Sequence, residues 1–517
     1  MFRLNLPILR SARTLSNPRK KGFIGKNTLW TLTASLGLLL TAPVPAEEPI
    51  TASEPAIRGA APAAAAEGAQ DSAKKQNLEN PSLELFSQLT RILTDNASEP
   101  PAPQTVVKFC REAVRGYLQE KELDNAFIDK IGGEQDEIKE TYQAVSAIAA
   151  LYKGALQKFP ELAEDVQFSV CIAKAIMESA QDDYTVFVSL SEYRDFNSDL
   201  TGDYSGSLGL TLKPYRDGEG GSHFEVAELL EGAPAQKGGL HIGDELTAVD
   251  GKSLEKALPS ECSALLRGPN GSQVDLTYRS RLSRIAGSKQ TRKLRLTRAK
   301  VHYPAAKAEV LPHKEGELKI GLLTLDMFTL DSNLEAERAL RELEKDDCQA
   351  YILDLRGNPG GYTNAARDIC SKFLPKPALL ASLKDNKGHI EQQIKSYRNM
   401  HAVKPLAVLI DGQTASAAEI TAGALKAHKA AFLVGMPSFG KNSSQRIFNF
   451  DFPPGETSAC KVTYSHYITP DNLDLGKTGL TPDYTVEMPA RLRRSRAKDI
   501  QLQKAVEVLN ELNKNKD

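Results

Sequence analysis

The chain has 517 residues, enough for roughly three domains of about 150 residues each. Its 65 Lys and Arg residues balance 66 Asp and Glu residues, and the net charge of -1 excludes a globally basic surface for collecting nucleic acid. A hydrophobic fraction of 41% excludes a protein made mainly of membrane spans. The function must therefore reside in local motifs, and no nucleic-acid partner is expected.

The first 46 residues have the layout of a secretory signal. Basic residues up to Lys26 precede an apolar run at 29–42, and small residues around Ala46 follow it. The run holds about fourteen residues, whereas a membrane span needs roughly twenty. The sequence predicts export to the periplasm or another extracytoplasmic compartment, with cleavage after Ala46. Because the basic stretch is unusually long, retention of residues 29–42 as an inner-membrane anchor stays open as the alternative.

The cysteines are scattered and include no C-x-x-C pair, which excludes a zinc knuckle and a thioredoxin-type motif. An oxidising compartment would allow disulfides, but six cysteines permit about fifteen pairings and the sequence does not choose among them. Free, buried cysteines are an equally good interpretation. The positions concerned are Cys110, Cys171, Cys262, Cys348, Cys370 and Cys460.

Composition and apolar spacing divide the first part of the chain after the signal. Residues 47–80 are rich in Ala, Pro, Glu and Ser, which is typical of a disordered linker. Apolar residues at helical spacing predict a helical region over 81–199. Short strands broken by glycine predict a β-rich domain over 200–300, and one of these strands is predicted at 207–212.

Predicted strands and helices alternate over residues 301–490, which is typical of an α/β core with a largely parallel sheet. Within 491–517, a basic run at 491–496 leads to an amphipathic helix. Its apolar residues are Ile500, Val506, Leu509 and Leu512. The predicted fold class is a multidomain α+β chain with a helical region, a β-rich domain and an α/β core.

Several common catalytic signatures are missing. The sequence has no G-x-S-x-G elbow, no H-E-x-x-H motif and no EF-hand loop, and its eight histidines are isolated, so no metal and no cofactor are expected. Residues 435–441 fit the phosphate-binding pattern G-x-x-x-x-G-K. However, Asn442 stands where that loop needs Ser or Thr for Mg²⁺, and a strand is predicted at 445–450 in place of the required helix. An NTPase is therefore disfavoured.

Lys441 and Ser416 are the candidate base and nucleophile. Burial lowers the pKa of a lysine and lets its neutral amine act as a general base. Ser416 follows a predicted strand at 406–410 and begins a helix, so its hydroxyl is expected at the carboxyl edge of the sheet, near amides that stabilise an oxyanion. The alternatives are a surface lysine and a plain capping box formed by Ser416 and Glu419.

A glycine-rich turn at 357–361 ends another strand of the same sheet. It could present a bare backbone N–H beside the serine, although a tight strand-to-helix loop has the same sequence. Three segments in this order and spacing resemble the C-terminal processing peptidases, also called tail-specific proteases. The segments are residues 352–361, 414–420 and 434–445. Each is moderately specific, and the ordered set is highly specific.

The resemblance implies a role for each matching residue. Ser416 is implied to be the nucleophile, Lys441 its general base and Gln445 the residue that orients the lysine. The implied oxyanion hole consists of the backbone N–H of Ala417 and of one glycine of the pair Gly360 and Gly361. The implied core is crotonase-like and related to ClpP. Two departures from the pattern, Ala418 and Asn442–Ser443, remove no catalytic group.

The resemblance extends over about 400 residues and includes a PDZ domain at 200–300. Segments such as 231–235 and 249–252 carry it. A PDZ domain binds a peptide as an added strand and holds its terminal carboxylate with backbone amides. The residues implied in peptide binding are Gly206, Ser207, Leu208, Gly209, Leu210, Leu265 and Leu266. Arg267 is implied to couple this domain to the protease core.

The expected protein is an exported serine endopeptidase that recognises C-terminal regions of its substrates. Its expected partners are proteins or peptides with free C-termini, and an adaptor, a homo-oligomer or an N-terminal membrane anchor stay open. The main alternative is a catalytically inactive PDZ scaffold, and a small-ligand carrier on the same fold is a third.

Overall fold

The computed structural model describes residues 39–40, 80–131, 138–216, 221–374, 376–397, 401, 403–488 and 498–514. The predicted linker up to residue 79, the basic run at 491–496 and the predicted export signal except 39–40 lie outside the described residues. The chain divides into two compact units: the first holds residues 197–307 and 329–341, and the second holds the other described segments. In the described part, no helix combines the length and apolar character that crossing a bilayer requires.

Helices dominate the region up to residue 201, which confirms the predicted helical region. The elements are β1 (Leu39–Leu40), α1 (Pro81–Asn96), α2 (Pro103–Glu120), α3 (Thr141–Lys158), α4 (Val166–Glu178), β2 (Val186–Val188) and α5 (Leu190–Thr201). Short 3₁₀ turns occur at Ile128–Lys130 and Pro160–Ala163. Helix α1 begins with a proline, and the Asn80 side chain caps it by accepting from the Ser82 amide at 3.0 Å. Leu89, Ile148 and Phe168 are fully buried in the core of this region.

The first unit contains the predicted β-rich domain, an antiparallel sheet. Its elements are β3 (Asp203–Ser207), β4 (Leu210–Arg216), β5 (Ser222–Leu229), α6 (Pro234–Lys237), β6 (Glu245–Val249), β7 (Lys252–Ser253), α7 (Pro259–Leu266), β8 (Gln273–Arg279), α8 (Arg281–Ile285), β9 (Arg292–Thr297) and β10 (Ala299–His302). The main sheet has the order β4-β5-β6-β8-β9, and β3 pairs with β10. Strand β4 therefore has one neighbour in the part of the chain that the structure describes, and its other edge is unpaired.

The prediction of one continuous strand at 207–212 is wrong, because Leu208 and Gly209 lie between β3 and β4. Gly209 has a φ of 71°, in the left-handed region that favours glycine. A Cβ added to Gly209 would lie 2.1 Å from the Cβ of Ala233. The chain therefore turns here and passes too close to Ala233 for any larger residue.

The remaining elements include the α/β core of the second unit. They are β11 (Ala306–Val310), β12 (Ile320–Leu325), α9 (Ser332–Lys345), β13 (Ala350–Asp354), β14 (Gly361–Tyr362), α10 (Thr363–Cys370), β15 (Leu379–Lys384), β16 (Ile390–Lys395), β17 (Leu406–Ile410), α11 (Ala417–Ala427), β18 (Phe432–Gly435), β19 (Ser443–Asp451), β20 (Thr457–Ile468), α12 (Leu475–Thr478), β21 (Tyr484–Thr485) and α13 (Ile500–Lys514). One sheet has the order β11-β12-β13-β17-β18-β21, and its pairs from β12 to β21 are parallel. Every residue of β13 and β17 is buried, as expected for a parallel sheet covered on both faces.

A second, antiparallel sheet has the order β16-β15-β20-β19, and β2 also pairs with β20. Polar residues such as Lys461 and Ser465 are buried in β20, so this strand lacks a clear apolar pattern in the sequence. The C-terminal helix α13 is present as predicted. Its buried face differs from the predicted one. Leu502, Ala505 and Leu509 pack into the core of the parallel sheet, whereas the predicted Leu512 is exposed.

All six cysteines lie in the described part of the chain as free thiols, and all except Cys171 are buried. Burial raises the pKa of the Cys262 and Cys370 thiols to about 12. The buried cysteines therefore act as small apolar core residues. The structure has free thiols, as the second interpretation of the sequence predicts.

His302 bridges two carboxylates in the first unit. Its Nδ1 lies 2.8 Å from Asp203 Oδ1, and its Nε2 lies 2.6 Å from Glu335 Oε1. Burial opposes the charged imidazole, but the two hydrogen bonds outweigh it and raise the pKa of His302 above its usual value. The charged form therefore stabilises the fold at low pH, and this contribution is lost as the pH rises through the raised pKa.

His302→Gln is expected to lower the free energy of unfolding by about 0.5–1 kcal/mol at about pH 5.5 and by less at about pH 8.5. The effect is small because 39% of the His302 side chain is exposed. Denaturant titrations at both pH values test it. The matched control is His389→Gln, since His389 is 76% exposed beside Asp385 and should matter little at either pH. Equal losses for His302→Gln at both pH values would contradict the prediction.

Candidate active site

Ser416 joins β17 to α11 with an uncommon backbone conformation. Its φ of 59° and ψ of -123° fall in a region that residues with a side chain rarely adopt, at a cost of about 1–3 kcal/mol. The turn places the hydroxyl at the carboxyl edge of the parallel sheet, as predicted. The side chain is buried, and its Oγ has no hydrogen-bond partner within the described residues. Ser416 and Glu419 have the arrangement of a capping box, in which the Ser416 amide donates to Glu419 Oε2 at 2.9 Å, but the hydroxyl itself makes no cap hydrogen bond.

The glycine turn at 357–361 lies directly against Ser416. Gly360 has a φ of 101°, and a Cβ added to it would lie 2.7 Å from the Ser416 Cβ and 2.9 Å from the Ala417 nitrogen. Only glycine fits this approach. The Gly360 N–H donates to Asn358 Oδ1 at 2.8 Å. The structure thus brings Gly360 and Ala417, two of the predicted oxyanion residues, next to the predicted nucleophile.

Lys441 lies between β18 and β19 and is only 3% exposed. Its Nζ donates to Gln445 Oε1 at 2.9 Å and lies 4.3 Å from the centre of the Tyr184 ring. Burial, reinforced by the positive charge of Lys461, lowers the pKa of Lys441 well below its ordinary value. The amine is therefore neutral over a pH range in which a surface lysine is charged, as a general base requires.

Gln445 is fixed by hydrogen bonds on the other side of its amide. Its Nε2 donates to Ser443 Oγ at 3.0 Å and to Thr463 Oγ1 at 3.2 Å. Thr463 Oγ1 in turn donates to Asp182 Oδ1 at 3.0 Å. With its nitrogen held by two hydroxyls, the amide directs its oxygen at the Lys441 amine.

Glu419 connects the nucleophile turn to the lysine loop. Its Oε2 accepts from the amides of Ser416 and Lys441, both at 2.9 Å, and its Oε1 accepts from the Gly440 amide at 2.7 Å and from Ser438 Oγ at 2.5 Å. Burial raises the pKa of Glu419 to about 7, although the four hydrogen bonds oppose that shift. The sequence indicated Glu419 only as half of a capping box. The contacts of Glu419 with the Gly440 and Lys441 amides could not be predicted from the local sequence pattern.

A buried ionic cluster supports the glycine turn from behind. Arg356 directly precedes the turn, and its side chain is fully buried. The guanidinium binds both oxygens of Asp354 and both oxygens of Asp499, at 2.8–2.9 Å, and donates to Gln501 Oε1 at 3.0 Å. Desolvation disfavours this charge, but the carboxylates outweigh it and raise the pKa of Arg356. No local pattern in the sequence points to a role for Asp499.

The predicted peptide-binding residues of the first unit occupy three elements. Gly206 and Ser207 lie in β3, so the expected glycine loop is reduced to the turn at 208–209 before Leu210 in β4. Leu208, Leu210 and Leu266 belong to the buried core of this domain, and Leu265 packs against it from α7. Arg267 directly follows α7.

Comparisons with known proteins agree with this architecture. Residues 319–486 match Peptidase family S41, and residues 198–279 match the PDZ domain family. A carboxyl-terminal-processing protease of Picosynechococcus sp. is 31% identical over 333 residues, which cover 64% of this chain and 76% of that protein. One from Synechocystis sp. is 29% identical over 337 residues, which cover 65% of this chain and 75% of that protein.

Two further matches are a plant protein and a solved structure. Carboxyl-terminal-processing peptidase 3, chloroplastic, of Arabidopsis thaliana is 31% identical over 342 residues, which cover 64% of this chain and 63% of that protein. The solved structure of a photosystem II D1 C-terminal processing protease aligns with a TM-score of 0.45 and 23% identity, over 83% of this chain and 97% of that chain. The two family matches and the 31% identity over most of the Picosynechococcus protein lead to one conclusion: this chain is a serine peptidase that belongs to the carboxyl-terminal-processing proteases of peptidase family S41.

Proposed function

We propose that this protein is an exported endopeptidase that captures the C-terminal region of a protein substrate through its PDZ domain and cleaves the chain with a Ser416–Lys441 pair. The observation that carries the catalytic part is a strained Ser416 whose hydroxyl bonds to none of the described residues, together with a buried Lys441 amine that donates to Gln445. Export rests on the layout of residues 1–46.

In the proposed reaction, the neutral Lys441 amine accepts the proton of the Ser416 hydroxyl while Oγ bonds to the scissile carbonyl carbon. The negative charge on the carbonyl oxygen is stabilised by the Ala417 amide and a second amide from the glycine turn. The second amide belongs to Gly360, whose N–H donates to Asn358 Oδ1, or to Gly361, which pairs with Leu39 of β1. The protonated lysine then gives its proton to the leaving amine, the C–N bond breaks, and water, activated by the lysine, releases the acyl group.

The unpaired edge of β4 supports the proposed recognition of C-termini. An extended peptide can add to this edge as a further strand, with its carboxylate at the turn of residues 208–209. Leu210, Leu212 and Leu266 make the adjoining core apolar. We therefore propose substrates whose last residues are small or apolar.

The decisive test of the catalytic part is covalent labelling by a fluorophosphonate probe, which reacts with activated serines. Wild-type protein should be labelled at Ser416, as peptide mapping by mass spectrometry would establish, and Ser416→Ala should not. An inactive PDZ scaffold, the alternative function, would bind C-terminal peptides without labelling. Wild-type protein that is folded, binds such peptides and resists the probe would overturn the proposed chemistry while leaving the recognition role standing.

The physiological substrates can be sought without knowing them in advance. Protein C-termini are compared by mass spectrometry between cells with the wild-type gene and cells with the Ser416→Ala gene. Shortened C-termini found only with the wild type identify the substrates. The proposed specificity is wrong if the original, uncleaved C-termini of these substrates are not enriched in small or apolar residues.

Activity is expected to rise with pH through the lowered pKa of Lys441, because only the neutral amine accepts the serine proton. The measurement is kcat/KM for an unstructured peptide as a function of pH. Lys461→Met is the matched control, since burial also lowers the pKa of Lys461, to about 8. The activity of Lys461→Met should still rise with pH. The midpoint of the rise should lie at higher pH, because the variant lacks the Lys461 charge that lowers the pKa of Lys441. A flat profile in this variant would assign the titration to Lys461 instead.

A further inference from the structure

A segment of the first unit that takes no part in catalysis or peptide binding has an unusual charge pattern. Ten Lys and Arg residues and no Asp or Glu occur between Leu276 and Ala308, in a chain whose net charge is -1. We call residues 279–293, which connect β8 to β9 and contain α8, the basic loop. It holds the cations Arg279, Arg281, Arg284, Lys289, Arg292 and Lys293.

Four cations of the basic loop are exposed and make no ion pair within the described residues. Arg279 and Arg284 are different, because they form ion pairs with Glu245 and Glu225 that hold the loop to the sheet. The four unpaired cations are Arg281, Lys289, Arg292 and Lys293. The acidic residues near the loop, Glu225, Glu245 and Asp275, pair with Arg284, Arg279 and Arg295. The four remaining cations repel one another, and an anionic partner removes that repulsion.

The loop also presents two aliphatic side chains to solvent. Leu282 is 79% exposed and Ile285 is 73% exposed, the two highest values among the large apolar side chains of the described residues. They are three residues apart in α8, so they lie on one face of the helical turn. Neither belongs to the hydrophobic core of this domain or to the residues packed against it.

The loop is held in this conformation by its polar residues. Ser280 Oγ accepts from the Ser283 amide at 3.2 Å and caps α8. Arg284 donates to Glu225 at 2.8 Å, to the Gly243 carbonyl at 2.7 Å and to the Tyr215 hydroxyl at 2.9 Å. The ordered backbone thus keeps Leu282 and Ile285 pointing away from the domain.

We propose that the basic loop is a membrane-docking element, in which Leu282 and Ile285 insert at the surface of an anionic lipid bilayer while the four unpaired cations contact the lipid headgroups. Protruding aliphatic side chains next to Lys and Arg are the composition of interfacial membrane segments. A fluid bilayer accepts two projecting side chains without a preformed pocket, whereas a folded acidic partner would need a matching cavity. The inference is independent of the proposed catalytic function.

Partitioning onto vesicles tests the charge and apolar contributions separately. The full chain is sedimented with vesicles of phosphatidylcholine alone or mixed with phosphatidylglycerol at about 7:3. We expect binding to the mixed vesicles only. Each cation near such a surface strengthens binding about fivefold, so Arg292→Gln combined with Lys293→Gln should weaken it about 25-fold. Leu282→Ser combined with Ile285→Ser should weaken it at least tenfold.

Matched double variants control for general effects. Leu330→Ser with Leu334→Ser removes two leucines that are 58% and 54% exposed elsewhere in the first unit. Lys252→Gln with Lys256→Gln removes two exposed lysines. Both controls should bind as the wild type does, and all variants should keep the wild-type thermal unfolding midpoint. Equal binding by the loop variants and the controls overturns the proposal.

A spectroscopic readout excludes a contribution of the N-terminal segment. The chain has one tryptophan, Trp30, so Leu282→Trp in a Trp30→Phe background carries a single reporter at the loop. Its emission should shift to the blue with the mixed vesicles, and a Leu330→Trp reporter should not shift. No shift at position 282 overturns the proposal. A blue shift that appears without vesicles and grows with protein concentration would show that the loop mediates self-association. An equal blue shift with poly-glutamate would show that it binds an acidic protein. Either result overturns the membrane proposal.

Discussion

Lys441→Met is expected to lower kcat/KM for an unstructured peptide by on the order of 10⁴-fold, close to the effect of Ser416→Ala. Methionine has a similar length and fills the same buried space, but it has no atom that accepts the serine proton. Because burial already favours the neutral amine, the substitution leaves no counter-charge unpaired, but it removes the donor to the buried Gln445 Oε1. A buried acceptor without a donor costs about 1–3 kcal/mol, so the variant should unfold somewhat below the wild-type temperature and still be folded in the assay. The rate lost by the folded variant then reports on chemistry.

Two comparisons make this result specific. The first comparison is Lys426→Met, the same substitution at a lysine near the end of α11. Lys426 is partly exposed and pairs with Asp483, and its substitution should leave full activity. The double variant Ser416→Ala with Lys441→Met should be no slower than either single variant, because the two residues act as one unit. A Lys441→Met enzyme within about tenfold of the wild type would show that another group removes the proton.

Arg356→Met is expected to lower the free energy of unfolding of the second unit by about 3–5 kcal/mol. The substitution leaves Asp354 and Asp499, 5% and 0% exposed, as two buried carboxylates without the cation that binds both. The glycine turn directly follows Arg356, so activity should fall as well. Denaturant titration followed by near-ultraviolet circular dichroism measures the stability, and kcat/KM measures the effect on the turn.

The control for Arg356→Met is the same substitution in an exposed ion pair. Arg341 pairs with Glu337 and is 68% exposed, so Arg341→Met should change stability by less than about 1 kcal/mol. If the two variants lose equal stability, the buried cluster has no special role. If Arg356→Met loses stability but keeps full activity, the cluster supports the fold without positioning the turn.

The sequence was sufficient to identify the proposed catalytic residues because they occur in short segments with fixed spacing. Ser416 begins a helix after an apolar strand, and Lys441 and Gln445 are four residues apart. Each of these features was visible locally, and the order of the segments gave the family. The alternating strands and helices likewise predicted the parallel sheet, since its central strands β13 and β17 are short and mainly apolar.

The residues that hold the site together could not be predicted in the same way. Glu419 lies 21 and 22 residues before the Gly440 and Lys441 amides that it binds, and Asp499 lies 143 residues after Arg356. Such contacts depend on the tertiary fold, and a single acidic residue in a helix or near a helix end has no distinguishing pattern. The second sheet was missed for a related reason, because β20 buries polar residues such as Lys461.

The positive φ of Ser416 has a consequence for the history of such chains. A backbone of this kind suits glycine, so a serine here lowers local stability, and its proposed role as the nucleophile accounts for that cost. A descendant that no longer cleaves its partners would lose that selective pressure. Drift at this position should then run towards glycine, and a glycine at the position of Ser416 would mark a relative that has become a binding protein.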